Sequence, residues 1–138
     1  MDTDKIFSLF KTSGEEEAYN ELEKYKKHPL YIIGMFKKLI SNYYSSKENL
    51  ILFFNKIDSE LSKDDLDRAG EFIVLNKAYD YISQININNR IHQESLFFSL
   101  KDPILKENLI LSISYFEKYE EYEKCKVLKE ILDFLNLF

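Results

Sequence analysis

A chain of 138 residues with 45% apolar and 31% charged side chains has the size and balance of one folded domain. This excludes a disordered segment and leaves no need for disulfides or a structural metal to complete a core. The formal net charge of −5 excludes a general nucleic-acid binder, which needs surplus Lys and Arg to displace counterions from phosphates, and a lone cysteine, Cys125, excludes an intrachain disulfide.

The first residues, MDTDKIFSLFKTSGEEE, lack the cationic start, long apolar stretch and small-residue site of a signal peptide. No window reaches the roughly 18 apolar residues of a membrane span. A cytoplasmic protein with no membrane attachment is therefore expected. With ten Tyr, eleven Phe and no Trp, much of the core is expected to be Phe, with Tyr at its rim. Abundant Ile, Lys, Asn, Tyr and Phe beside scarce Gly, Pro and Arg match the codon usage of an AT-rich genome.

Three Gly and two Pro leave few breaks, and the apolar spacing is helical almost throughout. The first expected helix runs from Asp4 to about Lys11, with Ile6, Phe7 and Phe10 inward and Ser13 and Gly14 closing it. A second opens with Glu15, Glu16 and Glu17 and ends with Lys24, Lys26 and Lys27, each charge matched to the helix dipole. His28 and Pro29 break it. A third follows with Ile32, Phe36, Leu39 and Tyr43 as its stripe, widened by Ile33 and Ile40. Ser45 and Glu48 stand at capping-box spacing before a fourth, whose apolar side is Leu50, Phe53, Phe54, Ile57 and Leu61. Ser62 and Asp65 repeat that arrangement before a fifth, carrying Leu66, Ala69, Phe72, Leu75, Tyr79 and Ile82. Gln84 to Arg90 reads as a loop, and a sixth, shorter helix covers about Ile91 to Leu100. Asp102 and Pro103 then form a cap and an N1 proline that open a final helical hairpin, about 103–138, with its turn near Tyr119 to Glu121. The expected fold is all-α: a compact single-domain bundle of six to seven helices, spanning 1–138, that ends in a helical hairpin.

Chemistry-bearing clusters are sparse. His28 and His92 are the only histidines, and neither has a Cys or a second His at metal-ligand spacing. Cys125 lies on the stripe Tyr122, Cys125, Leu128, Leu132 and Leu135, where a thiol serves as a small packing group. Asp64, Asp65, Asp67 and Glu71 lack the glycine and alternating ligands of a calcium loop and suit a solvated helix start. Phosphate-loop, dinucleotide and nucleophile-elbow fingerprints are absent. No cofactor, metal or catalytic residue is therefore expected. One basic cluster is interleaved with aromatics: Lys24, Lys26, Lys27, Tyr31, Lys37 and Lys38 are the candidates for nucleic-acid contact, in a segment with as many acids as bases.

The segment YEKCKVLKEI, Tyr122 to Ile131, resembles the UVR motif, a short helical hairpin of bacterial excision-repair subunits and of some partners of Clp-type unfoldases. Tyr122, Glu123, Cys125, Leu128, Lys129, Glu130 and Ile131 stand at its matching positions, with Leu109, Ile113 and Glu117 available on the first helix. Lys126 stands where the family has a small residue. The resemblance implies a hairpin that docks other proteins; the alternative is a plain core hairpin. The tail LDFLNLF, Leu132 to Phe138, is similar to the hydrophobic, acidic C-terminal tails with which T-even-type phage DNA polymerases and late-transcription coactivators engage the sliding clamp. Leu132, Asp133, Phe134 and Leu135 match best, and Asn136 to Phe138 extend beyond the usual end. Such a tail inserts apolar side chains in a groove while an acid and the terminal carboxylate meet basic residues; the alternative is the end of a core helix.

The expected function is a non-enzymatic protein-binding adaptor or inhibitor, an accessory protein of a phage or mobile element acting on a host or phage complex. The expected partner-binding residues are Tyr119, Tyr122, Lys126, Asp133, Phe134, Leu135, Leu137 and Phe138. The rivals are a nucleic-acid-associated protein using Lys24 to Lys38, and a phage structural or assembly component that forms a homo-oligomer.

Overall fold

The computed structural model describes residues 13–138, and within them every regular element is an α-helix. The six are α1 (Ser13–Lys26), α2 (Pro29–Ile57), α3 (Lys63–Ile82), α4 (Arg90–Phe98), α5 (Pro103–Lys118) and α6 (Tyr122–Asn136). The helix expected over Asp4 to Lys11 lies outside the described residues. Ser13 and Gly14 are helical and belong to α1, with Glu15 and Glu16 in its first turn where the dipole favours acids.

Local chemistry fixes most helix starts. The Leu30 N–H donates to His28 Nδ1 ahead of Pro29, which begins α2 with a preset φ and no orphan N–H. Ser62 Oγ accepts from Asp65 N, Asn89 Oδ1 from Ile91 N and His92 N, and Asp102 Oδ1 from Ile104 N. The Ser45 and Glu48 box starts nothing. The third and fourth expected helices are one 29-residue helix, α2, inside which the Ser45 and Ser46 hydroxyls both donate back to the Asn42 carbonyl. A serine caps only where the backbone leaves helical geometry, and no Gly or Pro here forces it to do so.

Two antiparallel hairpins carry the architecture. α2 and α3 pair along their length, α5 and α6 pair likewise, and α4 packs on α2. The shorter hairpin is fastened to the longer one by Asn108 Nδ2 donating to the Lys37 carbonyl, by the edge-on rings of Tyr79 and Phe116, and by Lys124 Nζ on Asn76 Oδ1. Its turn closes with the Glu121 N–H on the Phe116 carbonyl, which places Glu120 at φ 59°, the one non-glycine positive φ among the described residues.

The buried residues form one cluster drawn from α2 to α6 and the 83–89 loop. It is mostly Ile and Leu, against the expectation of a Phe core. Phe36 and Phe116 are fully buried, whereas Phe53, Phe54, Phe72, Phe97, Phe98 and Phe138 are exposed. Mid-sized branched side chains fill the narrow gap between two helical layers, and most of the rings are left outside it. The α6 stripe is also rotated from expectation. Cys125, Leu128, Ile131 and Leu135 are buried, while Leu132 is half-buried and Tyr122 is 65% exposed.

Candidate docking surfaces

The α5/α6 hairpin places the eight expected partner-binding residues in four different settings. Tyr122, Lys126 and Asp133 fall at i, i+4 and i+11 on the outer face of α6, where with Lys129 they line a shallow groove. Lys129 is held there by Glu117, 3.0 Å away, whose carboxylate raises the lysine's pKa. Tyr119 belongs to the turn and leans on Tyr115, ring centroids 4.9 Å apart. Leu135 is a correction: it is buried in the core and anchors the last turn of α6, so no partner can reach it. Phe134, Leu137 and Phe138 lie at the far end of the helix, about 20 Å from Tyr122 at 1.5 Å per residue.

At that end α4 supplies two residues that the sequence reading missed. Phe138 sets its ring edge-on to Phe97, centroids 5.2 Å apart, and to Phe134, 5.4 Å apart. Their chain neighbours Phe98 and Leu137 are 80% and 76% exposed. The cause is local. In α4 Ser95 and Leu96 take the inward positions, so the two phenylalanines that follow are carried round to the outside. Leu132 to Asn136 form the last helical turn, and the chain leaves the helix only at Leu137. The result is an aromatic cluster built on the ends of two helices.

Cys125 is 3% exposed, and its Sγ donates to the Ile113 carbonyl at 3.6 Å. Burial first, and the Glu117 charge second, push the thiol upward. A neutral, enclosed thiol is a packing group. His28 and His92 both accept a backbone N–H through Nδ1, from Leu30 and Asn86, and burial lowers the His92 pKa. Asp64 and Asp65 occupy the first turn of α3. Among the described residues no three His, Cys, Asp or Glu side chains converge on a metal position, and every buried side-chain N or O has a hydrogen-bond partner.

The basic candidates do not gather into a single patch. Lys24, Lys26 and Lys27 are exposed at the end of α1, with Lys26 beside Glu23 at 3.5 Å. Tyr31 is half-buried against Tyr81, and Lys38 is exposed. Lys37 is turned to the α5 side, where its Nζ meets Asp102 Oδ2 at 2.5 Å. That pair ties the start of α5 to α2 and removes one cation from any phosphate-binding set.

No described helix is long and apolar enough to cross a membrane. Comparison of the chain with protein-family models, with curated proteins and with solved structures finds no match among any of the three.

Proposed function

We propose that the protein is a non-enzymatic protein-binding adaptor or inhibitor, an accessory protein of a phage or mobile element that engages a cytoplasmic host or phage complex. The observation that carries this reading is the aromatic cluster of Phe97, Phe134 and Phe138 at the meeting of α4 and α6, in which Phe134 is half-buried on the core while Phe97, Phe138 and the chain neighbours Phe98 and Leu137 are exposed. Clustered Phe and Leu at the ends of two helices offer a large apolar contact, the makeup of an interface anchor. The nearby Asp133 carboxylate suits a partner groove rimmed by Lys or Arg. The outer stripe of Tyr122, Lys126 and Asp133 extends the same surface along α6. The AT-rich residue usage supports the origin.

The test is affinity purification from the source cell with three baits: wild type, Phe98→Glu, and the chain lacking Leu137 and Phe138. A protein retained by wild type and lost with both variants, at unchanged circular dichroism, is the expected result. Equal retention by all three baits refutes the assignment of this surface.

A further inference from the structure

Beyond Ile40 on α2 and before Leu75 on α3 no residue is buried, so the distal half of the α2/α3 hairpin stands clear of the core. Its two helices are nevertheless held in register. Tyr43 Oη donates to the Asp67 carbonyl at 3.1 Å, Lys47 Nζ lies 3.4 Å from Asp67 Oδ1, and Asn55 Nδ2 donates to the Leu61 carbonyl at 2.9 Å.

The two faces of this arm differ sharply in chemistry. On one, Lys47, Glu48, Ile51 and Leu52 share a mixed, charged groove with Lys63, Asp64 and Asp67. Residues two further along a helix are turned about 200°, so Leu50 beyond Glu48 and Leu66 beyond Asp64 look the opposite way. The helical repeat carries Phe53 and Ile57 round with Leu50, and Ala69 and Ile73 with Leu66. Positions 46, 50, 53, 57, 62, 66, 69 and 73 contain no Asp, Glu, Lys or Arg. Phe54 borders the strip toward α3. Leu50, Phe53, Phe54, Ile57 and Ile73 are all exposed, Ile57 at 68%. α5 and α6 cover the other side of the hairpin nearer its opposite end, and no described residue lies over this strip.

Taking roughly 200 Å² for a fully exposed large apolar side chain, the strip presents on the order of 600 Å² of apolar surface. That is the upper end of what a monomer leaves open, and two such strips reach about 1,200 Å², the lower end of a specific interface before any polar rim is added. We infer that this strip is the interface of a homodimer, in which two α2/α3 hairpins stack face to face about a two-fold axis as a four-helix layer. Three features select a second copy as the occupant. A flat two-helix strip without charge is complementary to itself, as a two-fold contact requires. Two chains that each carry −5 repel at any charged contact, and here the charged groove faces away. A strip exposed along the whole arm also needs a partner present whenever the chain is present, which a second copy always is. This inference does not depend on the aromatic cluster of α4 and α6.

Sedimentation equilibrium of the full chain, from micromolar to submillimolar concentration, provides the test. Wild type is expected at twice 16.5 kDa, and Phe53→Glu/Ile57→Glu at 16.5 kDa with unchanged helix content, its Kd raised by ~100-fold or more by charge placed in a desolvated contact. Phe98→Glu, on the other surface, is expected to remain dimeric. Should the double variant lose helix, Phe53→Ala takes its place, with a Kd about tenfold above wild type. A wild-type monomer at every concentration, a larger assembly, or a dimer untouched by the substitutions overturns the inference. So does a monomer that dimerises only after residues 1–12 are removed, because the chain's own start would then be what covers the strip.

Discussion

Two glycines in the α2/α3 hairpin are predicted to respond to alanine with opposite signs. At Gly34 an added Cβ meets nothing within 4 Å, so Gly34→Ala gains helix propensity without a clash and stabilises by about 1 kcal/mol. At Gly70 the same Cβ falls 2.5 Å from Tyr43 Oη and 2.8 and 2.9 Å from the ring carbons Cε2 and Cζ. The ring must move, and its hydrogen bond to the Asp67 carbonyl goes with it. Overpacking costs about 1 to 3 kcal/mol and the lost bond about 1, against about 1 recovered from propensity. The net expectation for Gly70→Ala is a loss of about 1 to 3 kcal/mol. Tyr43→Phe removes the nearest clashing atom, so Gly70→Ala should cost less in that background, with a coupling of about 1 kcal/mol in a double-mutant cycle. Urea denaturation followed at 222 nm, at one fixed protein concentration, measures all four chains. A Gly70→Ala protein as stable as Gly34→Ala would refute the close approach of α2 and α3 on which the arm geometry rests.

Glu120→Gly is predicted to stabilise by about 1 kcal/mol in the same assay, because a left-handed φ of 59° costs any residue with a Cβ. Cys125 is predicted to react with a thiol reagent only on unfolding, and Cys125→Ala to cost on the order of 1 kcal/mol; rapid modification of the native protein would count against its burial. Removal of Leu137 and Phe138, both exposed, should cost about 1 kcal/mol or less, whereas Leu135→Ala should cost about 2 to 5, both read by thermal melting. The Lys37 hydrogen bond, then the Ile104 N–H, hold the Asp102 carboxyl below its ordinary value. Because the folded state favours the ionised form, this stability is present above the unfolded pKa of about 3.9 and fades as pH falls through the lower native value. Asp102→Asn should therefore cost up to about 1 kcal/mol at neutral pH, with the gap to wild type closing in acid; a pH-independent gap would contradict the ion pair.

Features set by neighbours in sequence were legible before the fold. Ser62 with Asp65 and Asp102 with Pro103 each cap a helix where the spacing placed them, and His28 with Pro29, read as a break, falls between two helices and also caps the second. The same locality misled at Ser45 and Glu48, where the motif is complete but the helix continues through it. Periodicity located Leu50, Phe53, Phe54 and Ile57 on one side of α2 but could not say whether anything covers that side. The signal available was excess. Residues 50–54 are apolar at every position, more than a helix flanked by one neighbour can bury. Phe97 and Phe98 carried the same signal in a helix of nine residues. At the C-terminus, seven apolar-rich residues did not separate Leu135, which the hairpin closes over, from Leu137 and Phe138 beyond the last turn. That division depends on how far α4 and α5 extend, which is a tertiary fact.

The claim that the aromatic end of α4 and α6 receives another protein is tested most directly by photo-crosslinking in the source cell. A benzophenone amino acid is placed in turn at Phe98 and Phe138, and at Glu60, in the loop between α2 and α3, and Lys38, on α2, as exposed control sites on other elements. The account predicts one discrete crosslinked protein shared by positions 98 and 138 and missing from the two controls. Crosslinks of equal pattern from all four sites, or none from the cluster, would contradict it.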